Sequence, residues 1–376
     1  MIYLDNAATT KPCEEAVEAV VRGLREFGNP SSLHGLGLAA EKEREHARNA
    51  IASALGALPE EVFFTSCATE SSNTVIFGAA ASVGKRKKKI VTTSVEHPSV
   101  AVCCDKLAEQ GFEVIRISPD ENGSISAEDI ISAVDDNTCL VSIMLVNNET
   151  GTILPVERAF TAIKKKYPQV LTHCDCVQGF MKLPVKVKKL GADFISLSAH
   201  KIHGPKGIGA LYIRKGVHIP SLLVGGGQER GFRSGTESVP LIMGFGAACE
   251  KLSADIGGRF EKVSAIKSRL TQLCSETDGI RVLSPADGSP YICSIAVEGL
   301  KSEVMLHFLE QRGIYVSSGS ACSKGKKSTV IKEFGVSDKL RDSVLRISFC
   351  AENEPSEVDQ MIAAIREAQG SLARIK

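Results

Sequence analysis

Short apolar runs alternate with longer stretches of helical periodicity through the first 250 residues of the chain. Several runs are apolar at both odd and even positions, which is typical of strands buried on both faces of a parallel sheet. This alternation predicts an α/β domain with a mostly parallel, doubly wound sheet that binds ligands beyond the carboxyl ends of its strands. The predicted strands cover residues 62–65, 90–93, 114–117, 140–146, 170–172, 194–197 and 210–214.

The pattern also predicts helices, and it changes near residue 250. Two amphipathic helices are expected over residues 16–27 and 38–55, separated by a polar loop. From Lys251 a long charged helix is predicted to reach Leu273. A strand over 291–297, a helix over 302–312 and a last strand and helix follow. We therefore expect a large domain and a compact α+β second domain, as a chain of 376 residues usually requires.

Composition narrows the possible partners. Lys and Arg number 45 against 44 Asp and Glu, so general binding to nucleic acid or to an acidic membrane is not expected. No uninterrupted apolar stretch reaches membrane-spanning length, and the N-terminus does not resemble a secretion signal. The twelve cysteines are irregularly spaced, which favours reduced thiols in a cytoplasmic protein over a disulfide framework.

Two strand ends carry residues suited to a charged ligand. The run over 193–201 ends in a small polar tip with Lys201, although most lysines in such positions are simply solvated. After the strand at 62–65, residues 66–70 open a helix. Its free amides and the Thr69 hydroxyl would bind a phosphate dianion. Alone this signal is weak, because Ser and Thr cap many helices.

Other strand ends supply an aromatic ring, amides and a carboxylate. His97 follows the strand at 90–93, Asn148 follows 140–146, and Asp175 with Gln178 follows 170–172. Together with Lys201 and the phosphate loop, these residue types describe a site for pyridoxal phosphate. The lysine would bind the cofactor covalently, and the carboxylate would keep its ring nitrogen protonated.

The segment over residues 173–176 also suggests a metal site, because His, Cys, Asp and Cys are all zinc ligands. Successive side chains of a strand point to opposite faces, so Cys174 and Cys176 would lie away from His173 and Asp175. The sequence therefore predicts no resident metal. The one metal role left open is that of Cys322 as a transient iron–sulfur ligand.

Taken in order, the chain resembles the cysteine desulfurases of the class V aminotransferase family. The match runs from Tyr3 to beyond Arg346, and its lysine, asparagine and cysteine segments are together highly specific. The resembling segments are residues 6–9, 28–31, 68–71, 96–97, 146–149, 175–178, 198–207, 233–236, 317–322 and 346–349.

The resemblance implies a pyridoxal-phosphate-dependent transferase fold of the aspartate aminotransferase type. Its large domain would span 15–250, and its small domain would combine 1–14 with 251–376, including a cysteine loop at about 317–330. The implied catalytic residues are Lys201, Cys322 and His97, and the implied substrate carboxylate ligands are Asn148 and Arg346. The residues implied to hold the cofactor are Ala68, Thr69, His97, Asn148, Asp175, Gln178, Ser198, His200 and Lys201, with Thr236 of the partner subunit in a homodimer.

The implied reaction converts L-cysteine to L-alanine and leaves the sulfur on Cys322 as a persulfide. The acceptor would be a protein such as an iron–sulfur scaffold. Small and basic neighbours around Cys322 favour a thiolate there. The alternatives are selenocysteine lyase, another class V enzyme acting on a small amino acid, and a non-catalytic assembly scaffold. The chain departs from the family at Cys67, at Cys176, and at Cys350 with Ala351.

Overall fold

The computed structural model describes residues 1–83, 87–318 and 329–372. In these ranges the chain alternates strands and helices, as the apolar pattern predicts. The strands are β1 (Ile2–Tyr3), β2 (Val62–Thr65), β3 (Lys89–Thr93), β4 (Glu113–Ile117), β5 (Thr138–Met144), β6 (Leu171–Asp175), β7 (Phe194–Ser198), β8 (Gly209–Ile213), β9 (Ile280–Val282), β10 (Ile292–Val297), β11 (Ile314–Tyr315), β12 (Ser317–Ser318) and β13 (Val344–Ser348).

The helices connect these strands and cover the sheet. They are α1 (Glu14–Glu26), α2 (Gly35–Leu55), α3 (Ala68–Ser82), α4 (Pro98–Glu109), α5 (Ala127–Ser132), α6 (Val156–Lys166), α7 (Val187–Leu190), α8 (Val239–Ser253), α9 (Ile256–Ser275), α10 (Ser302–Glu310), α11 (Thr329–Glu333), α12 (Asp338–Arg341) and α13 (Pro355–Ser371). Within the described ranges, no helix is long and apolar enough to cross a membrane.

A seven-stranded sheet in the order β2-β8-β7-β6-β5-β3-β4 forms the centre of the larger part of the chain. The strands from β7 to β4 are parallel, while β8 runs antiparallel to both of its neighbours. Both faces of the sheet are buried: Val91 and Val141 pack into one apolar core, and their neighbours Ile90 and Leu140 pack into the other. The predicted doubly wound sheet is therefore confirmed.

A second sheet, in the order β12-β13-β10-β9, packs against α9 and α13 around a separate apolar core. The first residues of the chain join this part: β1 pairs with β11, and Leu4 is fully buried in the same core. These contacts agree with the predicted grouping of residues 1–14 with 251–376, and the division into two domains stays a prediction.

The prediction of one charged helix from Lys251 to Leu273 is wrong. Lys251 belongs to α8, which ends at Ser253, and α9 starts afresh at Ile256. The Asp255 side chain accepts a hydrogen bond from the Gly258 amide, so this residue caps α9 and separates it from α8. Elsewhere the predicted strands differ from the observed ones by at most a few residues at their ends.

Candidate active site

Lys201 lies at the carboxyl end of the central strand β7. The strand stops at Ser198, and a single 3₁₀ turn over Ala199–Lys201 carries the lysine beyond the sheet edge. The Lys201 Nζ donates hydrogen bonds to the Ala7 carbonyl at 2.6 Å and the Ala8 carbonyl at 2.7 Å. The N-terminal segment therefore forms the wall that receives the lysine amine.

Asp175 is the last residue of β6, directly beside β7 in the sheet. Its carboxylate is buried and accepts a hydrogen bond from the Val177 amide at 2.9 Å. Burial raises the pKa of Asp175, while the neighbouring charges of His97 and Lys201 oppose that rise. The structure thus brings Asp175, His97 and Lys201 within electrostatic reach of one another, as the sequence predicts.

His97 caps the start of α4. Its Nδ1 accepts a hydrogen bond from the Ser99 amide at 3.1 Å, so in the neutral ring the proton is on Nε2. Burial lowers the pKa of His97, and the charge of Lys201 acts in the same direction. At neutral pH the half-buried imidazole of His97 is therefore an uncharged, planar ring with one N–H donor.

The start of α3 has the form of an anion site. The helix begins at Ala68, and the Cys67 side chain makes no capping hydrogen bond, so the first amides, including that of Thr69, have no side-chain cap. Cys67 has φ −173°, an extended conformation open to any residue, so this departure from the family leaves the backbone unstrained. Arg233 pairs with Glu70 at 2.8 Å and places a cation at the same helix end.

Two other residues predicted to bind the phosphate lie nearby along the chain. Ser198 is buried at the end of β7. His200 shares a hydrogen bond of 3.2 Å with the Thr9 hydroxyl, and burial lowers its pKa to about 4, with Lys201 contributing. His200 is therefore neutral at physiological pH.

Arg346 lies on β13 and reaches from the second sheet toward the N-terminal segment. Its Nη2 donates to Asp5 Oδ1 at 2.9 Å and its Nη1 donates to the Asn148 carbonyl at 3.1 Å. Its Nε is buried without a partner among the described residues. The structure therefore brings Arg346 and Asn148 together, and the Nε N–H of the guanidinium is left for a further acceptor.

Lys182 is a site residue that the sequence analysis misses. Its side chain is buried, its Nζ donates to Gln178 Oε1 at 2.8 Å, and burial lowers its pKa to about 7. Gln178 Nε2 in turn donates to the Ala7 carbonyl at 2.9 Å, the same acceptor that Lys201 uses. A hydrogen-bonded chain thus links the two lysines. The available signal was a lysine directly after the apolar residues Phe180 and Met181.

Glu96 is a second missed residue, although it stands next to His97 in the sequence. Its Oε1 accepts from the Thr93 hydroxyl at 2.7 Å and the Met144 amide at 3.0 Å, which ties β3 to β5. Burial raises the pKa of Glu96 to about 8. The group is therefore protonated at neutral pH and holds the end of β3, which precedes His97, without adding a charge.

Among the described residues, the side chains of residues 173–176 do not form a cluster of potential metal ligands. Both ring nitrogens of His173 are occupied by serine hydroxyls, Ser142 at 2.8 Å and Ser196 at 2.9 Å. Cys174 and Cys176 lie on the other face, fully buried, with their sulfurs 3.4 Å apart. Strand alternation separates these side chains as expected, and Cys176 points away from Asp175.

Two predicted site residues are not placed with the others. Thr236 is exposed on the loop after Arg233. Cys322 lies outside the described residues, so the prediction that it accepts sulfur is left to experiment. Cys350, another departure from the family, is buried beside Asn353, whose Oδ1 accepts from the Cys350 amide at 2.8 Å.

The chain matches the aminotransferase class-V family model over residues 2–361. It is 39% identical to a NifS/IcsS protein homolog of Lactobacillus delbrueckii subsp. bulgaricus, with 100% of this chain and 99% of that protein covered. It is 38% identical to a cysteine desulfurase of Trichormus azollae over 98% of this chain and 92% of that protein. A solved NifS-like protein superimposes with a TM-score of 0.93 at 39% identity, covering 99% of this chain and 100% of that one. The predicted fold is thereby confirmed, and the chain belongs to the aminotransferase class-V family, among the NifS-like cysteine desulfurases.

Proposed function

We propose that the chain is a pyridoxal-phosphate-dependent cysteine desulfurase that converts L-cysteine to L-alanine and passes the sulfur to Cys322. The observation that carries this proposal is the convergence of Lys201, Asp175 and His97 beyond the ends of the sheet strands. Relatives with cysteine desulfurase activity in their names align over almost the whole chain and support the same reaction.

The residues present fit pyridoxal phosphate. A buried carboxylate, Asp175, would face the ring nitrogen, the neutral ring of His97 would stack on the pyridine, and the uncapped start of α3 would hold the phosphate. Gln178 would contribute a donor from its Nε2 amide, which has one hydrogen beyond that given to Ala7. Lys201 supplies the amine for covalent attachment.

Pyridoxal phosphate, when bound, supplies an electron sink that acidifies the α-hydrogen of an attached amino acid. Lys201 then has two tasks. It would hold the cofactor covalently, and its Nζ, when not so attached, would take the α-proton of the substrate as general base. The Ala7 and Ala8 carbonyls lie within hydrogen-bond distance of this amine and fix its orientation.

Arg346 and His97 act on the substrate itself. The unpartnered Nε N–H of Arg346 would donate to the substrate carboxylate, because Asp5 already occupies Nη2. His97 carries its proton on Nε2, so in this tautomer it would donate a hydrogen bond to the substrate sulfur.

Cys322 completes the reaction. Its thiolate attacks the substrate sulfur, the C–S bond breaks, and the sulfur remains on Cys322 as a persulfide. The bonding electrons of the broken C–S bond stay with the substrate carbon, which gains a proton and leaves as L-alanine. No external oxidant or reductant is needed, because the two-electron oxidation of the two thiol sulfurs to a persulfide is matched by the two-electron reduction of the substrate Cβ. The α-proton that Lys201 removed returns to the substrate Cα.

The test is a single-turnover reaction of the purified holoenzyme with L-cysteine. We expect L-alanine in the supernatant and a mass gain of one sulfur atom on the Cys322 peptide. Cys322→Ser should keep the visible cofactor band and lose both products, while Cys13→Ser, at a half-buried cysteine, should behave as wild type. Full alanine production by Cys322→Ser would show that the sulfur acceptor is wrongly assigned.

Competing substrates separate the alternatives. Selenocysteine consumed much faster than cysteine would indicate a selenocysteine lyase. Transfer of the amino group from alanine to a keto acid would indicate an aminotransferase. Binding of a scaffold protein with no turnover of any amino acid would indicate a non-catalytic assembly role.

A homodimer is part of the proposal, with Thr236 of the partner subunit completing the phosphate site. It is supported by large apolar side chains that a single chain leaves exposed, among them Phe27 at 75%, Leu33 at 95% and Val224 at 84%. Mixing inactive Lys201→Ala with a weakened Thr236→Ala variant tests the arrangement. Activity should be regained in mixed dimers, because one of their two sites is then intact.

The sulfur acceptor and the cellular location also remain proposals. We infer transfer to an iron–sulfur scaffold protein, as in the family that the chain resembles, and a cytoplasmic location. The latter is supported by the eleven cysteines that the structure describes, all of which are free thiols.

A further inference from the structure

A cluster of His203, Cys350 and Glu352 lies beside the lysine pocket but takes no part in the proposed reaction. In the described part of the chain it is a group of three potential metal ligands whose donor atoms all lie within 4.8 Å of one another. His203 and Cys350 are buried, while Glu352 reaches solvent. The chain brings them together from two places: the turn after Lys201 and the segment that follows β13.

The spacing suits a tetrahedral ion. Glu352 Oε2 is 3.6 Å from His203 Nε2. Zinc bonds of about 2.0–2.1 Å to nitrogen, 2.0–2.2 Å to oxygen and 2.3 Å to sulfur place neighbouring ligand atoms of a tetrahedron roughly 3.3–3.6 Å apart. Only small side-chain movements are therefore needed to close the three donors around one ion.

The imidazole is already oriented as a ligand. His203 Nδ1 lies 2.9 Å from the Lys11 carbonyl, which can only accept, so the ring proton is on Nδ1 and the Nε2 lone pair faces the cluster. A histidine whose other nitrogen donates to a backbone carbonyl is the usual arrangement at metal sites. His203 has φ +59°, so its backbone is held in a strained turn that fixes the ring further.

Neighbouring side chains also contact the Cys350 thiol and the Glu352 carboxylate. Arg259 pairs with Glu352 Oε1 at 3.5 Å and leaves Oε2 for the cluster. The Cys350 thiol lies 3.4 Å from Asn353 Oδ1, which also accepts from the Cys350 amide. Loss of the thiol proton on metal binding therefore leaves the asparagine oxygen with a donor.

We propose that His203, Cys350 and Glu352 bind one Zn²⁺ ion, with water as the fourth ligand. A thiolate with an imidazole favours zinc over calcium or magnesium, which prefer oxygen ligands alone. Arg259 and, when it is protonated, Lys182 act on the cluster and weaken its attraction for a metal, but the thiolate and the carboxylate together neutralise Zn²⁺. The bound ion would join the turn that carries Lys201 to the segment behind Arg346.

The test measures metal and does not depend on the desulfurase reaction. Holoenzyme carrying Cys322→Ala, which removes the other reactive thiol, is titrated with ZnCl₂ and with CoCl₂, and bound metal is counted after gel filtration. We expect one Zn²⁺ per chain and cobalt ligand-field bands at longer wavelength than the cofactor band. Adding Glu352→Gln, His203→Asn or Cys350→Ala should weaken binding at least roughly tenfold, which is the effect of losing even a supporting contact.

The variants are chosen to stay folded. Glu352 is exposed, and asparagine tolerates the left-handed backbone of His203. His46→Asn, at an exposed histidine, is the matched control and should bind zinc as the parent does. The proposal is overturned if the parent binds no zinc at micromolar concentration. It is also overturned if only Cys350→Ala weakens binding, since that result would mean a single thiol and not a three-ligand site.

Discussion

Replacing Lys182 with methionine tests whether the buried amine of Lys182 lowers the free energy of unfolding. Methionine keeps the length and apolar stem of lysine and removes the charge. The folded pKa of Lys182 is about 7, against 10.5 for an unburied lysine. At about 1.4 kcal/mol for each pKa unit, this difference corresponds to roughly 5 kcal/mol of destabilisation when the amine is protonated in the unfolded chain.

The direction in which the unfolding free energy changes with pH follows from the two pKa values of Lys182. Between pH 7 and 10.5 the unfolded chain binds a proton at Lys182 that the folded chain has released, so wild-type stability rises with pH relative to the variant. Below pH 7 the cost is present in full. Lys182→Met should therefore be the more stable protein near pH 6–7, by roughly 3–4 kcal/mol once about 1–2 kcal/mol for the lost hydrogen bond to Gln178 is subtracted. This advantage should shrink by roughly 2 kcal/mol between pH 7 and pH 9.

Urea unfolding of the cofactor-free chain at pH 6, 7, 8 and 9 measures the difference directly. Lys188→Met, at an exposed lysine, is the control and should give a difference that does not change with pH. A Lys182→Met difference that is constant across the range would refute the reasoning, because it would mean that Lys182 titrates alike in the folded and unfolded chain.

Three other substitutions separate stability from catalysis. His97→Asn retains an acceptor for the start of α4, so unfolding free energy should change by less than about 1 kcal/mol while turnover falls roughly 10²–10⁴-fold. Arg346→Lys keeps the charge but loses the planar fork, so KM for cysteine should rise roughly tenfold or more with a smaller change in kcat. Arg48→Met leaves the buried Glu229 carboxylate without its bidentate partner and should lower the unfolding free energy by about 3–5 kcal/mol in urea titration. The exposed Arg22→Met should lower it by no more than about 1 kcal/mol.

The sheet could be predicted because its strands are short and apolar at both odd and even positions. Ile90 and Val91 illustrate why: each side chain enters a different core, so the sequence shows a continuous apolar run where a one-sided strand would alternate. The break between α8 and α9 could not be predicted as easily. Ala254 and Asp255 are both compatible with a helix, and only the contact of the Asp255 side chain with Gly258 shows where the new helix starts.

The site residues could be predicted where a chemically reactive side chain follows a predicted strand. Lys201, Asp175 and His97 each follow a predicted strand, so the topology of a parallel sheet brings them to one edge. Lys182 lies in the turn segment after β6, and its Nζ lies 5.8 Å from the ring centre of Tyr291, which directly precedes β10 and is 109 residues away along the chain. No local sequence pattern predicts a contact between residues so far apart along the chain. The cluster of His203, Cys350 and Glu352 was missed for the same reason.

The wall that receives the Lys201 amine has a consequence for how the protein is made. The Asn6 side-chain amide donates to the Ser348 carbonyl and the Ala7 amide donates to the Ser348 hydroxyl, so the segment that carries the acceptors of Lys201 is held in part by the distant strand β13. A nascent chain can complete the seven-stranded sheet once Ile213 has left the ribosome. The Ala7 carbonyl also accepts from Gln178 Nε2, but the two contacts with Ser348 form only after Ser348 has been translated. We therefore expect chains released before Ser348 to form the seven-stranded sheet and to bind pyridoxal phosphate more weakly than the full chain does.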